Sequence, residues 1–268
     1  MQFVLSHARH ACRASVILIA LGLAFMPVVA HAQTDEIQVY DAEIAAPGAV
    51  NLTLHNNYTP SGRLAPEEPG GVIPNHSLNG VPEWAYGVAP WFEAGLYLPL
   101  YSITGGSVLF NGFKLRTLFV EPNAADHTFI YGINFEYSYN EAHWDPHRYS
   151  SEIRPIIGWH LGSIDFIFNP ILDNSFEGIG KLDFAPATRL AWNVSKTIAI
   201  AAEEYDDFGP IDHFYGHDQQ SHQLFSVFDF HKGSFIVEAG LGFGLTAGSD
   251  HRVIKLILSR DLYDPPGS

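Results

Sequence analysis

The 268 residues carry 14 Lys and Arg against 29 Asp and Glu, a formal charge of −15. That balance disfavours nucleic acid as a partner and suits a surface that meets cations. The single cysteine, Cys12, precedes an apolar run and lies too early for a lipoprotein attachment site. Disulfides, thiolate metal sites and cysteine nucleophiles are therefore excluded from the rest of the chain.

The amino terminus reads as an export signal. Arg9 and Arg13 make a basic start, an apolar run follows over 14–30, and Ala30-His31-Ala32 fits the small-x-small cleavage rule. The run is short and holds Pro27 near its end, which argues against a membrane anchor. Residues 1–32 are thus predicted as a cleaved signal peptide, with Gln33 as the new terminus. Both leader arginines are then lost and all 29 acids are kept, so the mature 236 residues carry −17. Residues 33–48 are predicted as a periplasmic segment, or one tucked into a lumen, ending at the turn Ala46-Pro47-Gly48. A strand over 35–44 would make the strand count odd, which bacterial barrels disfavour.

From residue 49 to 262 the chain alternates. In 129–139 one set of alternate residues is Phe129, Tyr131, Ile133, Phe135, Tyr137 and Tyr139; the other is Ile130, Gly132, Asn134, Glu136 and Ser138. Successive strand side chains point to opposite faces, so one face here is apolar and the other small and polar. Twelve strands are predicted over 49–58, 82–90, 92–103, 108–119, 127–138, 150–160, 163–172, 180–191, 196–206, 220–230, 234–245 and 251–260. Tight and mostly longer connections alternate between them. An all-β, antiparallel, up-and-down transmembrane β-barrel of about twelve strands follows, with both termini on the tight-turn, periplasmic side. In 220–230, Leu224, Phe228 and Phe230 compete with Phe225 and Val227 for the outer face. Trp84, Trp91, Trp144, Trp159 and Trp192 gather near strand ends and suit the two membrane interfaces. Tyr263 is near the end but not terminal, a weak match to the terminal aromatic that barrels commonly present to the assembly machinery. A soluble periplasmic β-sandwich is the competing fold, because its dyad patterns are similar.

The phasing turns Glu93, Glu136, Glu152, Asp165, Asp183, Glu203 and Glu238 into the lumen, with Lys114, Arg116, Arg154, Arg189 and Lys255. Such charges either line a selective passage or pair into a plug. Arg116 is placed to meet Glu136, and Arg154 to meet Glu136 or Asp165. In the loops, His143, Asp145 and His147, with His213 and His217, are candidate metal ligands, set against the alternative of solvated polar loops. Adjacent serine and histidine occur at His76-Ser77 and Ser221-His222. Residues sharing a strand face are two apart, so neither pair has the geometry of a serine nucleophile with its base, and no catalytic residue is assigned. No cofactor motif occurs.

Several segments resemble, together, a group of proteobacterial outer-membrane barrels linked to transport and to aromatic-compound degradation. They are residues 55–60 (HNNYTP), 79–88 (NGVPEWAYGV), 91–100 (WFEAGLYLPL), 184–189 (FAPATR) and 203–205 (EEY). The resemblance implies a barrel in the outer membrane of a Gram-negative cell, reached by Sec-type export and inserted by the barrel-assembly machinery. Its partners would be outer-membrane lipid and lipopolysaccharide, with a small solute as cargo. The expected function is a passive channel or transporter. The alternatives are a lipid-modifying enzyme and a structural or adhesive barrel with a plugged lumen.

Overall fold

A computed structural model describes residues 36–66 and 69–265. The expected signal peptide and its cleavage site lie outside the described residues. The strands are β1 (Val50–Ser61), β2 (Leu78–Ala89), β3 (Phe92–Thr104), β4 (Ser107–Val120), β5 (Phe129–Asn140), β6 (Tyr149–Leu161), β7 (Ile164–Asn169), β8 (Leu172–Asn174), β9 (Asp183–Phe184), β10 (Ala187–Asn193), β11 (Ile198–Asp207), β12 (Ser221–Lys232), β13 (Phe235–Gly244) and β14 (Arg252–Tyr263).

Each strand pairs antiparallel with its neighbours, and β1 pairs with β14, so the sheet closes on itself. Two staves are interrupted. β7 and β8 both pair with β6, and they are separated at Pro170 and Ile171. β9 pairs with β8 and β10 with β7, with Ala185 and Pro186 between them. Proline has no N–H to give a ladder, which explains breaks at these places in segments expected to run through. Residues 180–181 belong to a 3₁₀ turn, Ile179–Lys181, and not to the predicted eighth strand. Counting each interrupted stave once, the fold is a closed antiparallel barrel of twelve strands.

The alternation sorts side chains as the pleat requires. In β5, Phe129, Tyr131, Phe135 and Tyr137 are exposed, while Ile130, Asn134, Glu136 and Ser138 are buried. In β12, Leu224 and Phe228 point outward and Phe225 and Val227 inward, which resolves that strand's ambiguity. Aromatic residues cluster on the outside at both ends. Phe129, Trp159 and Phe166 stack near the tight turns, and Phe113, Tyr139 and Tyr149 near the longer loops. The outer wall is therefore an apolar band between two aromatic girdles. In a sandwich these faces would pack together into one core; here they all face away from the barrel axis.

Residues 36–42 pack inside the barrel. Ile37 packs on Ala191, Ala201, Phe225, Val227 and Val253, and Val39 on Ile167, Ile171 and Ala187. Tyr40 and Ala42 lie against Leu118, Val120, Ile130 and Ile156. Burying Ile37, Val39 and Tyr40 keeps their apolar surface from water, at roughly 1.5–3 kcal/mol for a fully buried large side chain. The segment leaves at the tight-turn end, where the Gly48 N–H donates to the Gly87 carbonyl (2.7 Å).

Candidate functional site

The lumen holds three charge clusters, two of them spanning neighbouring strands and one lying within a single strand. The first joins β1 to β5. Arg116 meets Glu83 (2.6 Å) and Glu93, and Glu83 also meets His55 Nε2 (3.1 Å). Lys114 stands 3.5 Å from Glu136, which accepts from Asn134 (3.0 Å). The second cluster is on β6: Arg154 grips Glu152 through Nε (2.7 Å) and a terminal nitrogen (3.0 Å). The third spans β10 to β14. Arg189 reaches Glu203, Asp229 and Glu238, and Lys255 reaches Glu203 and Glu238.

The internal segment is tied to all three. Ala45 N–H donates to Glu93 (2.6 Å), and Arg154 donates to the Gln38 carbonyl (3.1 Å). Lys255 points its ammonium at the Ile37 carbonyl (3.4 Å). Tyr40 shares a hydrogen bond with Tyr97 (2.6 Å), and the Arg154 guanidinium lies 4.3 Å from the Tyr40 ring centre, in cation–π range. Asn169 clamps the Tyr40 backbone from both sides, accepting from its N–H and donating to its carbonyl.

Long cations need room in the wall, and glycines on the paired strand provide it. Gly95 is registered with Arg116 and Gly240 with Lys255. A Cβ on Gly240 would come within 2.8 Å of the Lys255 stem, and one on Gly95 within 2.7 Å of Arg116 Nε.

Of the twelve charges expected in the lumen, Glu93, Lys114, Arg116, Glu136, Glu152, Arg154, Glu203 and Lys255 are buried, and Asp165, Asp183, Arg189 and Glu238 are half-buried. Ten belong to the clusters; Asp165 and Asp183 stand apart. Asp165 binds His160 (2.8 Å) and Asn193 (2.6 Å) near the tight turns. Arg116 meets Glu83 and Glu93, not the Glu136 expected for it, and Arg154 meets Glu152 on its own strand. His55, Glu83, Tyr97, Asp173, Asp207 and Asp229 are further inner-face members that the sequence did not single out. The alternation of Trp84, Tyr86 and Val88 is the signal that would have placed Glu83. The loop histidines do not converge. His143 turns to Asn111, His147 to Asp145 and Glu177, and exposed His217 to Asp218. Among the described residues no group of three or more His, Cys, Asp or Glu can hold a metal ion. Ser77 donates to the Pro74 carbonyl, and His222 binds Asp206 and Gln220, so neither serine–histidine neighbour pair forms a nucleophile and base.

The barrel resembles solved structures. An outer-membrane channel from Pseudomonas putida F1 superposes with a TM-score of 0.56 at 13% identity, over 85% of this chain and 100% of that one. The likeness is one of fold. The translocator domain of the autotransporter NalP from Neisseria meningitidis gives a TM-score of 0.43 at 12% identity, over 95% of this chain and 97% of that one. No family model and no curated protein matches the sequence.

Proposed function

We propose that this chain is an outer-membrane channel for small solutes, narrowed by its own amino-terminal segment. The observation that carries the reading is the inversion of the wall, apolar and aromatic outside, charged inside, around a closed sheet. Among the described residues, the three lumen clusters hold seven carboxylates (Glu83, Glu93, Glu136, Glu152, Glu203, Asp229 and Glu238) against five Lys and Arg, so the passage favours cations. Export by a Sec-type signal, insertion by the barrel-assembly machinery and contact with lipopolysaccharide belong to the same reading. The lumen is packed around residues 36–45, which favours a second reading, a closed structural barrel.

Planar-bilayer recording separates the two. The refolded chain from Gln33 should give small, cation-selective steps, and the same chain lacking 36–45 should give larger ones. Silence from both, with a folded and heat-modifiable barrel, would overturn the channel and leave the structural barrel.

A further inference from the structure

Four inward carboxylates stand in one registered row across the wall. Glu136 pairs with Glu152, Glu152 with Asp173, and Asp173 with Asp183. Like charges directly opposite on neighbouring strands repel, so such a row persists only with compensation. Lys114 serves Glu136, and Arg154 serves Glu152. Asp173 keeps one carboxylate oxygen with no hydrogen-bond partner.

A cavity of about 70 Å³ opens at this row, lined by Glu152, Arg154 and Asp173 from the wall, by Asp206 and Asp207 beside them, and by Glu36 from the internal segment, so carboxylates outnumber the one cation there. The Glu36 side chain is 2% exposed, and neither of its oxygens has a hydrogen-bond partner. Arg154 is its ion-pair partner but gives it no hydrogen bond. Its guanidinium is engaged by Glu152 and the Gln38 carbonyl and stands 3.6 Å from Glu36, beyond a hydrogen bond. A buried carboxylate in that condition is costly unless a donor reaches it.

We propose that this cavity binds the protonated amine head of a small solute, held between Glu36 and Asp173. An ammonium supplies three donors and one positive charge, the complement of the unfilled oxygens. A bare metal ion fits less well, because no group of three or more ligands converges among the described residues. Ile37, Ile171 and Ala185 line the same cavity and offer apolar contact to the first carbons of the amine. As a statement about cargo this rests on the channel reading; as a statement about binding it does not.

Ethylammonium chloride is the probe, added to the folded full-length mature barrel at ionic strength matched with KCl and CaCl₂. The thermal unfolding midpoint is read by tryptophan fluorescence. Ethylammonium should raise it saturably and more than KCl. Glu36→Gln and Asp173→Asn should each weaken the apparent affinity about tenfold, as expected for a lost charge-assisted hydrogen bond. Asp218→Asn, on an exposed loop, should leave it unchanged. Glu36→Gln sits outside the strand ladder, so it keeps the test alive if Asp173→Asn does not fold. A shift equal to that of KCl, or unchanged binding in both variants, overturns the site. A calcium shift that the same substitutions abolish overturns the amine assignment. Saturable binding by a barrel that is silent in bilayers would sink the channel and keep the site.

Discussion

Replacing Lys255 by Met tests whether the lumen is a low-dielectric interior. Lys255 is fully buried; its ammonium meets Glu203 and Glu238 and lies 3.2 Å from the Tyr205 hydroxyl. Methionine keeps the stem that lies over Gly240 and removes the charge. Glu203 still has Arg189 and the Tyr205 hydroxyl (2.7 Å), whereas Glu238 keeps only Arg189 at 3.6 Å. The two charge-assisted hydrogen bonds from the ammonium, to Glu203 and to the Tyr205 hydroxyl, at about 1.5–3 kcal/mol each, give roughly 3–6 kcal/mol. Removing one partner of a buried ion pair costs about 3–5 kcal/mol. The expected loss is where these overlap, about 3–5 kcal/mol, measured by urea unfolding in lipid vesicles at equal slope. Lys255→Met with Glu238→Gln should recover part of it, because the stranded charge is gone. A loss below about 1 kcal/mol, the range of exposed pairs, would refute the reasoning.

Leu241→Arg places a charge on the outer face of β13, where Leu241 is exposed, and should cost about 2–4 kcal/mol at mid-bilayer in vesicles. A change near zero would mean that this face does not meet hydrocarbon. The Glu43 carboxyl is pushed up to about 7, first by the Asp41 carboxylate beside it and then by burial and Asp165. The side chain is open to water, and the Asp41 carboxylate beside it is the main cause. With its pKa raised in the docked state, the group favours docking of residues 36–48 when protonated. That advantage is lost as pH rises from about 4.5 through 7. Proteolysis within the segment should therefore quicken over that window, and Glu43→Gln should flatten the dependence.

Alternation made the barrel legible because it depends only on which neighbour is apolar, and a lipid-facing wall asks that question of every strand. β5 was plain for this reason. β12 was not, because Phe225 and Val227 face the lumen, where Ile37 needs an apolar partner. An inward apolar residue is unreadable until the segment that covers it is known. The lumen partners were hidden for another reason. Arg116 reaches Glu83 and Glu93 on β2 and β3, and only the register sets which carboxylate a long side chain meets. The acidic row has the same origin. Its four members come from β5, β6, β8 and β9, and nothing in their linear spacing shows that they stand level.

The seam between β1 and β14 joins the two ends of the barrel, with Asn51 bonded to Asp261 and Thr53 to Ser259. The segment immediately ahead of β1 runs through the hoop that this seam closes. Threading and closure are therefore one topological problem. Either the tail is already enclosed when the first and last staves zip together, or it is drawn in afterwards through the mouth beside Gly48. The two ends of the described residues consequently differ as attachment points. A label fused ahead of Glu36 starts from the interior, whereas one fused after Pro265, which lies beside Gly48, starts from the rim.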